Sequence, residues 1–273
     1  MTNITKPHHE YWDEIWSKDD VPDWDYLSQV ILNVLKNEIG DVKDKRILEA
    51  GSGSGRISLG LAKGNAAVSL LDNSMNAINF SKDLFEKSGE RPNIVCAPIH
   101  AMPYGDDTFD VVWNAGVIEH FTGKEQEEVL SEMVRVCKKG GLVVTINPYA
   151  KSILHTFGRF VMEKMGRYPF GDEVPVTTLK DKSDILGCGL KKEEYSIGFV
   201  VLWVGMFKRL TLLPMGKVFK FPLSILNKTF CCIDSSPFGK ILRKLDLFTS
   251  KLFGGYLLVS IFKKRQGDLT GGV

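Results

Sequence analysis

A chain of 273 residues with 44% hydrophobic side chains fills one large α/β domain with an elaboration, and is neither fibrous nor disordered. The formal charge of +2 hides an asymmetry: residues 200–273 hold 12 lysines and arginines against 3 acidic residues, a net +9, which leaves −7 on residues 1–199. Five cysteines, an odd number with Cys231 and Cys232 adjacent, fit neither a disulfide framework nor a zinc site and predict a reduced, cytoplasmic protein.

In chain order, no charged and apolar leader opens the sequence, and an aromatic cluster of Tyr11, Trp12 and Trp16 comes first. Residues 23–36 place Trp24, Leu27, Val30, Ile31, Val34 and Leu35 at helical spacing, with Gly40 as the stop. Short apolar runs then alternate with helical stretches: Ile47–Ala50, Ala67–Asp72, Ile94–Ala97, Phe109–Asn114 and Leu142–Ile146. Five such strands with helices between them predict a parallel sheet. The helix Lys124–Lys139 carries Val129, Leu130, Met133, Val134 and Cys137 on one face and ends before Gly140. Beyond Tyr149 the pattern predicts a helix over Ile153–Met165, a loop rich in proline and glycine, a short helix at Lys182–Leu186 and strands near Glu194–Ile197 and over Tyr256–Phe262. The apolar run 197–207 is broken by Lys208 and Arg209, short of the roughly 20 residues a spanning helix needs, so a transmembrane protein is disfavoured.

The chemistry centres on Glu49-Ala50-Gly51-Ser52-Gly53-Ser54-Gly55-Arg56, a glycine-rich turn between the first strand and a helix. Glycine there permits positive φ and a close backbone approach, and the helix start offers N–H groups to an anion. Arginine at position 56 breaks the G-x-G-x-x-G dinucleotide fingerprint, which disfavours a nicotinamide oxidoreductase. Asp72 closes the second strand 21 residues after Gly51, where an acid can accept from both ribose hydroxyls; the plainer role is a helix N-cap.

With Glu49, Gly51, Gly53 and Gly55 in this pattern, the chain resembles the class I S-adenosylmethionine-dependent methyltransferases over about residues 45–148. The resemblance implies a doubly wound, seven-stranded, mostly parallel Rossmann-like sheet with a helical insertion before the last, antiparallel strand, and S-adenosyl-L-methionine as cofactor. It places Asp72 on the ribose and Asn73 near the adenine. The run Ala97-Pro98-Ile99-His100 followed by Phe109-Asp110-Val111-Val112 is similar to the family's third and fourth strands. Many relatives carry Asp where Pro98 stands, so here the adenine would rest on backbone around Ala97 and Ile99. Asn114, at the carboxyl end of the fourth strand, would meet the cofactor through its backbone.

Methyl transfer from a sulfonium is an in-line displacement, so alignment matters most and no metal is required. A base helps only when the acceptor loses a proton. His120 in Val117-Ile118-Glu119-His120-Phe121 is the candidate, Glu119 the weaker one, and the plain alternative is a residue that orients the loop. Asn147-Pro148-Tyr149 is similar to the N-P-P-Y signature of amino-group methyltransferases, but follows the fifth strand and lacks the second proline, so it is read as a strand end. His155, Cys188, Cys231 and Cys232 lack metal-ligand spacing and are read as structural.

Four segments result: an N-terminal helical cap (1–44), the cofactor-binding core (45–199), an apolar and basic insertion (200–253), and a last strand with tail (254–273). In the insertion Trp203, Phe207, Phe219, Phe221, Phe230, Phe238 and Phe248 interleave with Lys208, Arg209, Lys217, Lys220, Lys228, Lys240, Arg243 and Lys244. This suits a lid over the carboxyl edge of the sheet, a peripheral contact with anionic membrane, or an ordinary helical subdomain. The predicted partner is a small-molecule or lipid acceptor, with nucleic acid disfavoured. The rival is a methyltransferase-fold protein that binds or regulates without catalysis.

Overall fold

The computed structural model describes residues 8–17, 24–166, 173–184, 186–202 and 217–266, with side chains from 10 in the first segment and from 225 in the last. Trp203, Phe207, Lys208 and Arg209 fall outside the described residues, as do the side chains of Lys217, Phe219, Lys220 and Phe221. Among the described residues no helix is long and apolar enough to cross a membrane.

The N-terminal segment forms α1 (His8–Trp16) and α2 (Tyr26–Ile39). The core then alternates β1 (Arg46–Ala50), α3 (Arg56–Ala62), β2 (Ala67–Asp72), α4 (Met75–Ser88), β3 (Asn93–Cys96), β4 (Phe109–Ala115), α5 (Gly123–Val136) and β5 (Cys137–Pro148). It continues through α6 (Ile153–Lys164), β6 (Cys188–Leu190), β7 (Tyr195–Ile197), α7 (Lys217–Ser235), α8 (Gly239–Phe253) and β8 (Leu257–Lys264).

The sheet runs β3-β2-β1-β4-β5-β8-β6, parallel from β3 through β5 and antiparallel at β8. Eight strands fill seven positions, because β6 pairs with the end of β8 at 262–264 and β7 with its start at 257–259. This is the doubly wound, mostly parallel sheet with an antiparallel last strand that the resemblance implies, with one strand more than the seven expected. Side chains alternate along each strand, so Ile47, Val111, Trp113 and Val144 bury one face with α2 and α3. Leu48, Val112 and Val143 bury the other with Val129, Leu130 and Met133 of α5. Each fully buried aliphatic side chain contributes roughly 1.5–3 kcal/mol.

Two local expectations are corrected, and one strand has no counterpart in the sequence reading. Helix α5 stops at Val136 rather than running to Lys139, because Cys137 pairs with Phe109 and starts β5. Gly140, at φ +76°, sits in the bulge before Leu142 pairs with Val111, and Lys138 Nζ donates to Asp110 at 2.7 Å, so sheet pairing overrides helical periodicity. The short helix expected at Lys182–Leu186 is a 3-10 turn at Lys180–Lys182, with position 185 outside the described residues. Strand β6 is too short to show a period in sequence.

The described part of the insertion, α7 and α8, packs on α2 and β7. Tyr26 meets the Phe230 ring at 5.1 Å, Asn33 Nδ2 donates to Asp234, and Arg243 Nη1 donates to Asp234 at 2.7 Å, which locks α7, α8 and α2 together. A cleft between α2, β7 and α8, lined by Asn33, Glu38, Tyr195 and Lys251, shares no lining residue with the glycine loop.

Candidate functional site

Strand order reverses at β1, which has β2 on one side and β4 on the other, and a crevice opens outside the carboxyl ends there. The β1–β4 ladder stops at Glu49–Trp113, so the glycine loop leaves β1 where the strands diverge. Gly51, Gly53 and Gly55 have φ of +80°, +48° and +65°, a region L side chains avoid. A Cβ at Gly51 would lie 2.6 Å from Val117 Cγ2, and one at Gly53 would lie 2.4 Å from the Trp16 ring. The glycines are therefore required by the fold itself, since the β4 loop on one side and α1 on the other leave no room.

Asp72 binds the loop before any ligand does. One carboxylate oxygen accepts from Gly53 N at 2.7 Å and the other from Ser74 N at 2.9 Å. Burial raises its pKa, against those N–H donors and that of Asn73. The N-cap of α4 is Ser74, whose hydroxyl accepts from Ala77 N, so the plainer role weighed for Asp72 belongs to its neighbour. Glu49, 5% exposed, has an Oε2 without a hydrogen-bond partner, and burial pushes the carboxyl up to about 8 against Ser58 and Arg56.

On the side of β3, Ala97 N donates to Asp72 O at 2.9 Å, which ties that turn to the same crevice wall. Pro98 O accepts from Ala101 N, and the Ile99 side chain is buried with Met102. Asn73 lies in the turn between Asp72 and Ser74. The Asn114 side chain points away into the core, where Nδ2 donates to Met133 Sδ at 3.3 Å. Only its backbone remains available beyond the β1–β4 ladder.

Past β4, a 3-10 turn at Ile118–His120 packs on β5 and brings Glu119 and His120 to the carboxyl end of the sheet. Glu119 is 2% exposed, its Oε2 has no hydrogen-bond partner, and burial pushes its carboxyl up to about 8, with Glu173 adding to the rise. Val174 N donates to Glu119 O at 2.8 Å, which lays the segment after Glu173 across the turn. Glu119, His120 and Glu173 each offer an atom within 4.8 Å of the others, a grouping able to hold a cation. Asn147, next along β5, is fully buried with both amide atoms lacking a partner.

Helix α1 bridges the two ends of the crevice. Trp16 lies against Gly53, Trp12 stands edge-on to His120 with centroids 4.9 Å apart, and Asp13 accepts from Ser74 Oγ at 2.5 Å and Asn76 N at 3.2 Å. The sequence singles out the aromatic cluster of Tyr11, Trp12 and Trp16 but not Asp13 or Glu173. Neither has a local signal, since each meets its partners across more than 50 residues of chain. His155 is buried beside the Tyr256 ring, and the cysteines are free thiols, of which Cys137 and Cys188 are buried and Cys96 and Cys232 exposed. Pro148 pairs with Leu257 as the end of β5.

The residues present fit S-adenosylmethionine. Gly51 and Gly53 are only partly buried, Asp72 offers a buried carboxylate beside them, and the orphaned Glu49 oxygen suits an ammonium group. Fold and site thus define a Rossmann-like domain built to take a nucleoside-bearing cofactor at the β1–β4 switch point. Residues 48–145 match the family model of the methyltransferase domain. The chain is 35% identical over 108 residues to a phosphatidylethanolamine N-methyltransferase of Cereibacter sphaeroides, covering 39% of this chain and 52% of that one. The structure resembles a methyltransferase of Archaeoglobus fulgidus that depends on S-adenosylmethionine, with TM-score 0.55, 17% identity and coverage of 94% and 100%. It also resembles the cyclase SpnF, with TM-score 0.58, 15% identity and coverage of 92% and 86%. Residues 48–145 are thus a methyltransferase domain of the Rossmann-like class I type, whose fold and site support S-adenosylmethionine as its cofactor. It spans about half the length of the curated relatives it matches.

Proposed function

We propose that the chain transfers a methyl group from S-adenosylmethionine to a small-molecule or lipophilic acceptor by in-line displacement. The observation that carries this reading is the juxtaposition, at one end of the sheet, of the Asp72-bound glycine loop and the polar group Glu119, His120 and Glu173. The cofactor supplies an electrophilic methyl on a sulfonium sulfur. Gly51, Gly53, Gly55 and Glu49 hold its methionine part, Asp72 and Asn73 the ribose and adenine edge, and backbone near Ala97, Ile99 and Asn114 the rest of the adenine pocket. Trp16 and Trp12 exclude water from the crevice.

His120 takes the proton from an acceptor that must lose one, and Glu119, protonated near neutrality by its burial, orients the acceptor by hydrogen bonding. The similarity to a phosphatidylethanolamine N-methyltransferase favours a lipophilic acceptor, with peripheral membrane contact through residues 200–253. Calorimetric titration with S-adenosylmethionine and S-adenosylhomocysteine tests the reading, with Asp72→Ala as control. Micromolar binding that weakens at least tenfold in the variant is expected. Pro98 supports the rival non-catalytic reading, which a folded protein that binds neither compound would favour.

A further inference from the structure

Helix α8 turns its polar side inward. Asp246, 5% exposed, accepts from Gly198 N and Val200 N, both at 2.8 Å, and the buried Ser250 hydroxyl accepts from Phe199 N at 3.2 Å. These bonds fix the rotation of the helix about its axis. The opposite side carries Phe238, Ile241, Leu245, Phe248 and Leu252 at alternating spacings of three and four, one continuous stripe, and each is more than half exposed. Lys240, Lys244 and Lys251 run along one edge of that stripe, and the only acidic residue of α8 is the buried Asp246.

A second helix with an exposed apolar face starts beside the end of α8. A Cβ on Gly254, at the end of α8, would lie 2.7 Å from the Lys151 carbonyl, just before α6. From there α6 presents Ile153, Phe157 and Phe160, also more than half exposed, with Lys164 over the Phe160 ring, while His155 and Met162 face inward. Arg159 of α6 donates to Glu173 O at 2.6 Å, which places α6 beside the group of Glu119, His120 and Glu173. Soluble surfaces rarely carry apolar patches of this extent without a partner.

We propose that α6 and α8 together seat the protein on an anionic phospholipid bilayer, with the apolar stripes in the acyl boundary and Lys240, Lys244, Lys251 and Lys164 at the headgroups. The basic edge selects a bilayer over a second copy of the chain, since two such faces would set lysines against lysines. The seat turns the Glu119, His120 and Glu173 end toward the lipid, which deepens, and rests on, the reading of a lipophilic acceptor.

The test is flotation of the full chain with phosphatidylcholine vesicles, with and without phosphatidylglycerol, at low and high salt. The wild type is expected to float with the anionic vesicles and to release in high salt. Leu245→Ser with Phe248→Ser is expected to lose at least tenfold in partitioning, Phe157→Ser severalfold, and Lys244→Gln about fivefold. Circular dichroism and titration with S-adenosylmethionine on the same variants show whether the fold and the cofactor site remain. A wild type that ignores both vesicles, or variants that float as it does, overturns the membrane seat. So does a concentration-dependent dimer that the double variant abolishes in the absence of vesicle binding. Intact cofactor binding in any of these cases leaves the methyltransferase reading standing, whereas flotation without cofactor binding overturns that reading alone.

Discussion

The indole of Trp12 meets the imidazole of His120 edge to face, with ring centroids 4.9 Å apart and planes at 85°. This contact joins a helix near the start of the chain to the turn after β4, and with Trp16 on Gly53 it makes α1 a cover over both halves of the crevice. A cofactor entering that crevice must therefore meet α1.

Tryptophan emission should report that encounter. Adding S-adenosylmethionine is expected to change the fluorescence, and Trp16→Phe to remove most of the change because Trp16 is the ring against the glycine loop. Trp12→Ala is expected to keep cofactor affinity within severalfold while lowering turnover through a less ordered His120. An unchanged spectrum in the wild type would show that α1 does not cover the bound cofactor.

Gly51→Ala tests the loop. At φ +80° with Val117 Cγ2 2.6 Å from the new Cβ, the variant should lose about 1–3 kcal/mol of stability and cofactor affinity with it. Gly89→Ala is the matched control, since Gly89 shares a positive φ, has open space around it and lies outside the crevice. Its stability should fall without a change in intrinsic cofactor affinity, as thermal melts beside calorimetry would show.

The two buried carboxylates predict how stability changes with pH. Burial raises Glu49 and Glu119 to about 8 from ordinary values near 4.5, so the folded state holds more protons than the unfolded state between those limits. Their contribution is thus complete below pH 4.5 and is lost as pH rises through about 8. Each group costs up to about 1.4 kcal/mol per pH unit across that window. Glu119→Gln should flatten the fall measured by chemical denaturation. An unchanged slope in Glu119→Gln would show that Glu119 ionises normally.

Cofactor binding should release a proton from Glu49. Below pH 8 that carboxyl is largely neutral in the free protein, and an ammonium brought beside it favours the ionised form. Calorimetry near neutrality in buffers of different ionisation enthalpy should show net proton release in the wild type and a smaller one in Glu49→Gln. Equal release in both would place the ammonium elsewhere.

Asp246→Ala should release α8. The substitution leaves the Gly198 and Val200 N–H groups unpaired, and hydrogen bonds to charged acceptors are worth about 1.5–3 kcal/mol each. Burial raises the Asp246 pKa, so the wild type's advantage over the variant should be largest at acid pH and shrink as pH rises toward neutrality. Hydrogen exchange at residues 198–202 would show the loosening, and unaltered protection there would remove Asp246 as the anchor.

What sequence alone determined was whatever lies within one element or one turn. The spacing of apolar residues gave the order of strands and helices, and Glu49 through Gly55, Asp72 and the pair Glu119 and His120 were legible because each is fixed by a strand and the turn that follows it. Tertiary structure decided where partners arrive from far along the chain. Pairing with Phe109 ended α5 at Val136, Asp13 and Glu173 reached the crevice from distant segments, and Asp72 proved to hold the loop that surrounds it. The insertion shows the limit most clearly. The sequence shows aromatic and basic residues interleaved there, but which side of α8 turns inward depends on remote N–H groups at 198–200 that take Asp246 and Ser250 out of solvent. A buried hydrogen-bonding group must find a partner, and only the folded chain shows which one it has found.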